Sequence, residues 1–420
     1  MTIPALKGFK DILTGETEKW AFIEKTARRI FQTYCYAEIK TPILEKTELF
    51  ARTIGSFTDI VEKEMYTFTD RNGDSVTLRP EATASILRAF IEHHLEGQQP
   101  VQRLFSLGPM FRHERPQKGR LRQFHQINAE CIGSGRPQVD AETIALLTQL
   151  LMNLGLTQFR LRINSLGCPD CRPSFSSAIQ DFLEEKKLAL CPDCQRRLLT
   201  NPLRVMDCKV ERCREELTEA PTILSFNCPD CQNHFDQVRE LLSGLAVDIS
   251  VDPRLVRGLD YYCRTTFEVT AAHLGAQDAV AGGGRYDGLL KNLGGPDLPA
   301  IGFAIGLERL ALLLPSPAAA SNRPFVFLAP MGKESRDRAF ELLRTLHKKE
   351  IPGLMEYEDK SLKSLLRRAG KSGSVYAAIL GNEELSRNQI IIRDLDRQQQ
   401  EEIPLSKFLD YFLERYPRIT

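Results

Sequence analysis

The chain has 420 residues, too many for one compact core, so two or three domains are expected. Its 42% hydrophobic and 26% charged content is that of an ordinary globular protein, and a formal charge of +1 excludes global attraction to nucleic acid, leaving only local patches for such a role. No stretch approaches the ~18 apolar residues a bilayer span needs and no signal-like apolar run opens the chain, so a cytoplasmic protein without membrane attachment is expected.

Ile23, Ala27, Ile30, Phe31 and Tyr34 recur at helical spacing and predict an amphipathic helix over 16–34. Residues 36–40 lead to Thr41-Pro42, where proline favours a strand end or edge. Residues 75–78 read as a strand, and Pro80-Glu81 as a turn into a helix beginning near Thr83. Glu81 and Thr83 therefore stand at a helix N-terminus, where plain capping and a binding role both remain open.

Residues 103–130 hold six basic side chains (Arg103, Arg112, Arg115, Lys118, Arg120 and Arg122) before the segment turns apolar-alternating, with Glu114 among them. Two β-like runs, 104–112 and 121–131, flank a polar loop with Pro116 and Gly119, a pattern that predicts a long antiparallel hairpin with a basic tip. In its second strand Phe124, Gln126, Asn128 and Glu130 share one face, and Ile127, Ala129 and Cys131 the other. Such a polar face is either simply solvated or, as the guanidinium groups at both ends suggest, part of a pocket that holds a polyanion beside something small and polar.

Residues 141–154 read as a helix and 158–164 as a strand. Eight of the eleven cysteines then crowd into 168–231, amid helical patterning such as 174–186. Cys168/Cys171, Cys191/Cys194 and Cys228/Cys231 are C-x2-C knuckles, and Cys208/Cys213 is a looser pair. Such pairs serve tetrahedral zinc, and eight thiolates suffice for one or two structural ions; reduced free thiols and redox use are the other readings. Cys35, Cys131 and Cys263 are expected as small buried hydrophobes, and His125 as a satisfied core residue.

From 255 to 270 the residues are β-branched and aromatic, which predicts a continuous strand. The glycine-rich GGGRYDG (282–288) allows close backbone approach, and 301–314 predicts a short strand closing into a helix near Gly306, with Arg309 in its first turns. Residues 314–324, rich in Pro, Ala and Ser, read as a linker. Beyond it, strands at 325–329, 353–358, 375–380 and 389–394 and helices at 333–349, 361–370 and 406–415 predict a small α/β domain with a largely parallel sheet. Arg112, Arg120, Arg257 and Arg309 each lie beside a glycine or turn signal. No phosphate loop of the G-x4-G-K-[ST] type is present, so a nucleotide here would be held by arginine side chains; surface ion pairing is the plain alternative.

These segments carry a family resemblance. FRHERPQKGRLRQFHQINAE (111–130) resembles motif 2 of the class II aminoacyl-tRNA synthetases, IGFAIGLERLALLL (301–314) motif 3, and YAEIKTPILEKTELF (36–50) motif 1, with Pro42 as its proline. RGLDYY (257–262) and GGGRYDGLL (282–290) resemble the two signatures specific to histidyl-tRNA synthetases, and TLRPEAT (77–83) completes the ordered set. The resemblance implies an α+β fold. It places an antiparallel-sheet catalytic domain at 1–167 and 246–315, a Cys-rich helical insertion at 168–245, a linker at 316–324 and an α/β anticodon-binding domain at 325–420.

It further implies ATP-dependent attachment of L-histidine to tRNA(His) through a histidyl-adenylate, in a homodimer built on motif 1. By resemblance Arg112 holds the α-phosphate, Arg120 and Arg309 the γ-phosphate end, Glu114 the adenine side, and Arg257 stands over the reacting phosphorus, with Mg2+ bridging the β- and γ-phosphates. Glu81, Thr83 and Gln126 would meet the histidine α-amino group, and Glu130, Tyr261 and Tyr262 its imidazole; Asn128 is left without a role. Arg115 and Gln117 would meet the tRNA acceptor end. Cysteines are not a requirement of the family, so zinc does not follow from the resemblance. Two rival readings are a non-catalytic histidine-binding regulatory subunit of ATP phosphoribosyltransferase and a zinc-dependent nucleic-acid-binding module. The first is expected to lack the C-terminal module and catalytic arginines; the second leaves RGLDYY unexplained.

Overall fold

The computed structural model describes residues 3–55, 58, 60–272, 278–315 and 323–417. The chain divides into two compact units, 1–318 and 319–420. Most of the expected linker, residues 316–322, lies outside the described residues.

The first unit opens with helix α1 (Glu16–Thr33), strands β1 (Ala37–Glu38) and β2 (Leu44–Lys46) and helix α2 (Thr47–Ile54). Strands β3 (Tyr66–Thr69) and β4 (Ser75–Leu78) precede helix α3 (Thr83–Glu92), which begins where the sequence places it. The hairpin follows as β5 (Gln102–Phe111) and β6 (Gln123–Ile132), then α4 (Pro137–Asn153) and β7 (Arg160–Ser165). Four helices, α5 (Arg172–Glu185), α6 (Pro192–Thr200), α7 (Glu211–Glu216) and α8 (Pro229–Gly244), separate β7 from β8 (Ser250–Val251). The unit closes with β9 (Cys263–Thr270), β10 (Ala279–Arg285), α9 (Leu289–Asn292), β11 (Ala300–Gly306) and α10 (Leu307–Leu313).

Its main sheet has the order β1-β5-β6-β11-β10-β9-β7-β8. Every inner pairing is antiparallel; only the short edge strands β1 and β8 pair in parallel. The period-2 pattern of β6 is realised in this sheet. Ile127, Ala129 and Cys131 are fully buried against α1, α4 and α8, through Ile23, Ile30, Leu147, Leu151, Phe235 and Val238. The opposite face of β6 is thereby turned away from the helical layer and toward a cleft.

The 168–245 segment shares its core with the sheet rather than building one apart. Phe175, Ile179, Leu198 and Val205 cluster with Ala82, Met110, Tyr262 and Tyr286. A buried ion network adds a second tie: Asp140 at the start of α4 bonds His234 of α8 (2.9 Å) and Arg285 of β10. Burial pushes the Asp140 carboxyl up, but the Arg285 and His234 partners outweigh it and hold it below its usual range.

Two expectations for this unit are corrected. The continuous strand over 255–270 is a strand only from Cys263; 255–262 is a loop, although its residues favour strands. Backbone pairing with β10 begins at Cys263 and with β7 at Thr265, so propensity before that point has no partner strand to act on. Cys35 is exposed, not buried, because α1 ends there in a left-handed turn (φ 58°).

The second unit runs β12 (Val326–Pro330), α11 (Lys333–Lys348), β13 (Gly353–Met355), α12 (Leu362–Lys371), β14 (Tyr376–Leu380), α13 (Asn382–Ser386), β15 (Gln389–Asp394), β16 (Gln399–Pro404) and α14 (Phe408–Arg415). Its sheet order is β13-β12-β14-β15-β16. The sheet is mixed rather than largely parallel: β12 pairs in parallel with β13 and β14, whereas β15 and β16 add an antiparallel hairpin. β16 escapes a hydrophobic-pattern reading because only Ile403 among its residues is buried.

Candidate active site

The polar face of β6 forms the floor of a cleft of about 350 Å³ in the first unit. Arg112, Glu114, Arg120, Arg257, Glu268 and Arg309 line one part of it, and Glu81, Thr83, Gln126, Asn128, Glu130, Tyr261, Tyr262 and Tyr286 another. Segments more than 200 residues apart in the chain thus converge on one strand face.

The guanidinium groups are held, not loose. Arg112, just past the end of β5, donates Nε to the Pro80 carbonyl (2.8 Å) and lies over the Phe124 ring at 5.3 Å. Arg309, in the first turn of α10, reaches the carbonyls of Ala279 (2.7 Å) and Gly119 (3.2 Å). Arg120 is paired with Glu114, and Arg257 with Glu268, which also binds Arg162. Burial, together with the neighbouring charges of Arg120 and Arg112, lowers the affinity of Arg309 for its proton. That mutual repulsion among preorganised cations is relieved by a polyanion. Gly282 faces the Arg257 guanidinium so closely that any Cβ there would overlap it.

The other part of the cleft is centred on Glu130, which is 1% exposed. Thr83 donates its hydroxyl to one carboxylate oxygen (2.7 Å) and Tyr286 donates to the other. Gly302 on the paired strand β11 leaves room for this carboxyl group; a Cβ would collide with it. Glu81 caps α3, accepting the amide N–H groups of Thr83 (2.7 Å) and Ala84 (2.9 Å). The capping and binding alternatives therefore merge: a capped carboxylate of fixed orientation also lines the cleft. Gln126 Oε1 and Asn128 Nδ2 are buried with no hydrogen-bond partner among the described residues, as is Arg257 Nε. Unmet donors and acceptors of this kind suit a polar ligand.

Burial pushes the Glu130 carboxyl up to about 8, against the hydrogen bonds from Tyr286 and Thr83, and the neighbouring Glu81 adds to the rise. A folded-state value above the unfolded one means that stability from this group is complete below the usual carboxylate range and is lost as pH rises toward 8. Glu130→Gln, which keeps the uncharged form, is therefore expected to gain stability relative to the parent by up to about 1.4 kcal/mol per pH unit across that window. Thermal melts at pH 5 and 8 check it; a pH-independent difference between the two proteins would sink the assignment.

The cleft brings together the residues singled out for ATP and histidine. Arg115 and Gln117 stand apart from it on the exposed hairpin tip, where Gln117 and Arg120 close a tight turn through paired backbone bonds of 3.0 and 2.9 Å. Sequence reasoning missed Tyr286, Glu268, Asp207 and Lys209, all of which line the cleft. Tyr286 sits inside GGGRYDG, a segment read for its glycines, and its contact with Glu130 spans 156 residues. His125 is half-buried, edge-on to Trp20 and bonded to Glu308 (3.0 Å).

Four arginines gathered over an antiparallel sheet, beside a buried carboxylate–tyrosine pocket, match what the resemblance implies for the catalytic unit of a class II aminoacyl-tRNA synthetase. A family model described as histidyl-tRNA synthetase matches residues 8–310, and one described as an anticodon binding domain matches 326–415. The chain belongs to the histidyl-tRNA synthetase family. A histidine--tRNA ligase of Syntrophotalea carbinolica is 50% identical over 415 residues, 99% of each chain, and one of Geobacter sulfurreducens is 51% identical over 404 residues, 96% of this chain and 98% of the other. Among solved structures, the apo histidyl-tRNA synthetase of S. aureus superposes with a TM-score of 0.82 at 35% identity, covering 98% of this chain and 100% of that one. A Bacillus halodurans structure described as an ATP phosphoribosyltransferase regulatory subunit/histidyl-tRNA synthetase shares the fold at 21% identity (TM-score 0.65), covering 88% of this chain and 97% of that one. No helix among the described residues is long and apolar enough to cross a membrane.

Proposed function

We propose that the chain attaches L-histidine to tRNA(His) in two steps, with the cleft described above as the reaction site. A histidine carboxylate oxygen attacks the α-phosphorus of ATP, the bond to the β-phosphate bridge breaks, and diphosphate leaves. A hydroxyl at the tRNA 3′ end then attacks the adenylate carbonyl, and AMP leaves. The observation that carries this reading is the adjacency, in one cleft over the polar face of β6, of an arginine cluster and a buried Glu130–Tyr286–Thr83 pocket.

On this reading Arg112 and Arg257 flank the reacting phosphate, Arg120 and Arg309 take the γ-phosphate end, and Glu114 lies at the adenine side. Glu81, Thr83 and Gln126 receive the α-amino group, while Glu130, Tyr261 and Tyr262 surround the imidazole. Asn128 and Tyr286 join this set: the first supplies an unmet donor, the second orients Glu130. A site that pairs both ring nitrogens rejects analogues lacking them by roughly 10⁴–10⁵-fold, so no editing site is required. Glu268 of the cleft would suit a hard oxygen-seeking cation, and Mg2+ carried in on ATP would neutralise phosphate charge there.

Residues 325–420 are assigned to the anticodon, in line with the family match over 326–415. A homodimer formed through 36–50 agrees with the exposure of Ile43 and Leu44 there, 42% and 41%, and light scattering should return twice the chain mass. The reading places the enzyme in the cytoplasm, with its substrates.

Histidine-dependent exchange between ATP and labelled diphosphate tests the whole. Histidine binding without exchange at any Mg2+ concentration would select the regulatory reading, which the retained arginines and C-terminal unit disfavour. The loop role has its own test. Arg115→Ala should leave exchange intact and weaken tRNA charging, with a reduced salt dependence if the contact is to phosphate; equal loss in both assays would reject it.

A further inference from the structure

The eight cysteines of 168–231 have no part in the chemistry above, yet the structure sorts them. Cys168, Cys171, Cys228 and Cys231 form one tetrad, and Cys191, Cys194, Cys208 and Cys213 another; in each, the four sulfur atoms lie within 4.8 Å of one another. The pairing is nested, with the second tetrad enclosed in sequence by the first. Sequence spacing alone left the partners of each knuckle open.

The spacing of the sulfurs is that of a metal site. Four thiolates about 2.3 Å from a zinc ion, at the corners of a tetrahedron, stand about 3.8 Å apart. Cys168 and Cys171 Sγ are 3.6 Å apart and Cys191 and Cys208 Sγ 3.9 Å. A disulfide needs about 2.05 Å. In each tetrad a backbone N–H crosses to a sulfur of the opposite pair: Cys228 N–H to Cys171 Sγ (3.1 Å) and Cys191 N–H to Cys213 Sγ (3.2 Å). Such bonds orient a thiolate and spread its charge. Cys191 and Cys228 are also the N-caps of α6 and α8, each followed by a proline.

We propose that the insertion holds two separate zinc ions, one per tetrad, and that together they fix the wall of the active site behind Arg257. Four thiolates close each coordination sphere, so the ions act by holding chain, not by touching substrate. Cys208 of the inner tetrad is flanked by Asp207 and Lys209, both of which line the cleft. Four residues before it, Arg204 donates to the Gly258 carbonyl (2.5 Å) and to Asp260 (3.2 Å). In the outer tetrad Cys171 adjoins Arg172, whose guanidinium bonds the Tyr262 carbonyl. The 257–262 loop, which no strand pairing secures, is thereby gripped at both ends from the metal-bound segment. Only this second part rests on the function proposed above.

Metal content tests the first part without any activity. Protein grown with zinc and iron both supplied, then passed over a chelating resin, should carry two zinc ions per chain and no iron, with an X-ray absorption shell of four sulfurs at about 2.3 Å. One zinc, none, or iron in its place overturns the proposal. Cys194→Ser and Cys231→Ser should each lose one ion; should either fail to fold, titrating the parent with a mercurial must release one zinc per four thiols. Arg204→Ala should keep both ions and the histidine KM while kcat for exchange falls about tenfold or more, since a small misplacement of a catalytic group has large effects. Full kcat in that variant refutes the positioning part. Parent protein with two zinc ions and no exchange would reject the function and leave the metal sites standing.

Discussion

Arg257→Ala is expected to lower kcat for histidine-dependent ATP–diphosphate exchange by about 10²–10³-fold, the loss that follows removal of one preorganised charge stabiliser from a reacting centre. The reason lies in how the residue is held. Glu268 grips one arm of the guanidinium, Gly282 leaves space beside it, and Nε has no partner among the described residues. The fold should survive the change, because Arg162 remains on Glu268 and no buried carboxylate is left alone. Histidine affinity should alter little, since Glu130, Tyr286 and Thr83 bond one another without Arg257. Arg257→Lys should recover only part of the rate, for an ammonium lacks the planar fork. Exchange within tenfold of the parent would remove Arg257 from the mechanism.

The largest expected effect on stability comes from Asp140→Ala. Asp140 and Arg285 have fully buried side chains, and Asp140 also holds His234. Deleting the carboxylate strands a guanidinium that keeps, among the described residues, Asp287 and the Ser134 carbonyl. Breaking such a pair from one side destabilises by about 3–5 kcal/mol. For a unit of this size the midpoint should fall by on the order of 10 °C. Asp140→Asn, which retains acceptor oxygen and shape, should fall less. Melting curves of the three proteins decide it, and a loss below about 1 kcal/mol for the alanine variant would mean that the network is replaceable by packing. Because it joins α4, α8 and β10, its failure should loosen the insertion from the sheet.

Much of the site was legible before any fold was known. The alternation of 124–131 marks one face for the core and one for the cleft, because side chains alternate on any strand whatever its neighbours. The arginines could be named by their turn contexts, and the knuckles by their spacing. Glu81 could be placed at a helix start, although its double duty as cap and cleft wall needed coordinates. Tyr286 was not legible, since nothing local distinguishes its hydroxyl from any other; its role comes from β10 and β6 lying on either side of β11. Residues 255–262 misled, as strand propensity is expressed only where a partner strand is present.

The division between sequence and structure follows the range of the forces involved. Local geometry, set by periodicity, turns and caps, determines where strands and helices begin and which faces are polar; those features are written in neighbouring residues. Tertiary packing alone decided which two knuckles form each cysteine tetrad, which tyrosine meets Glu130, and that Cys35 faces outward while Cys131 and Cys263 do not. Those outcomes depend on the burial of apolar faces between segments more than 200 residues apart, and no spacing within a single segment encodes them.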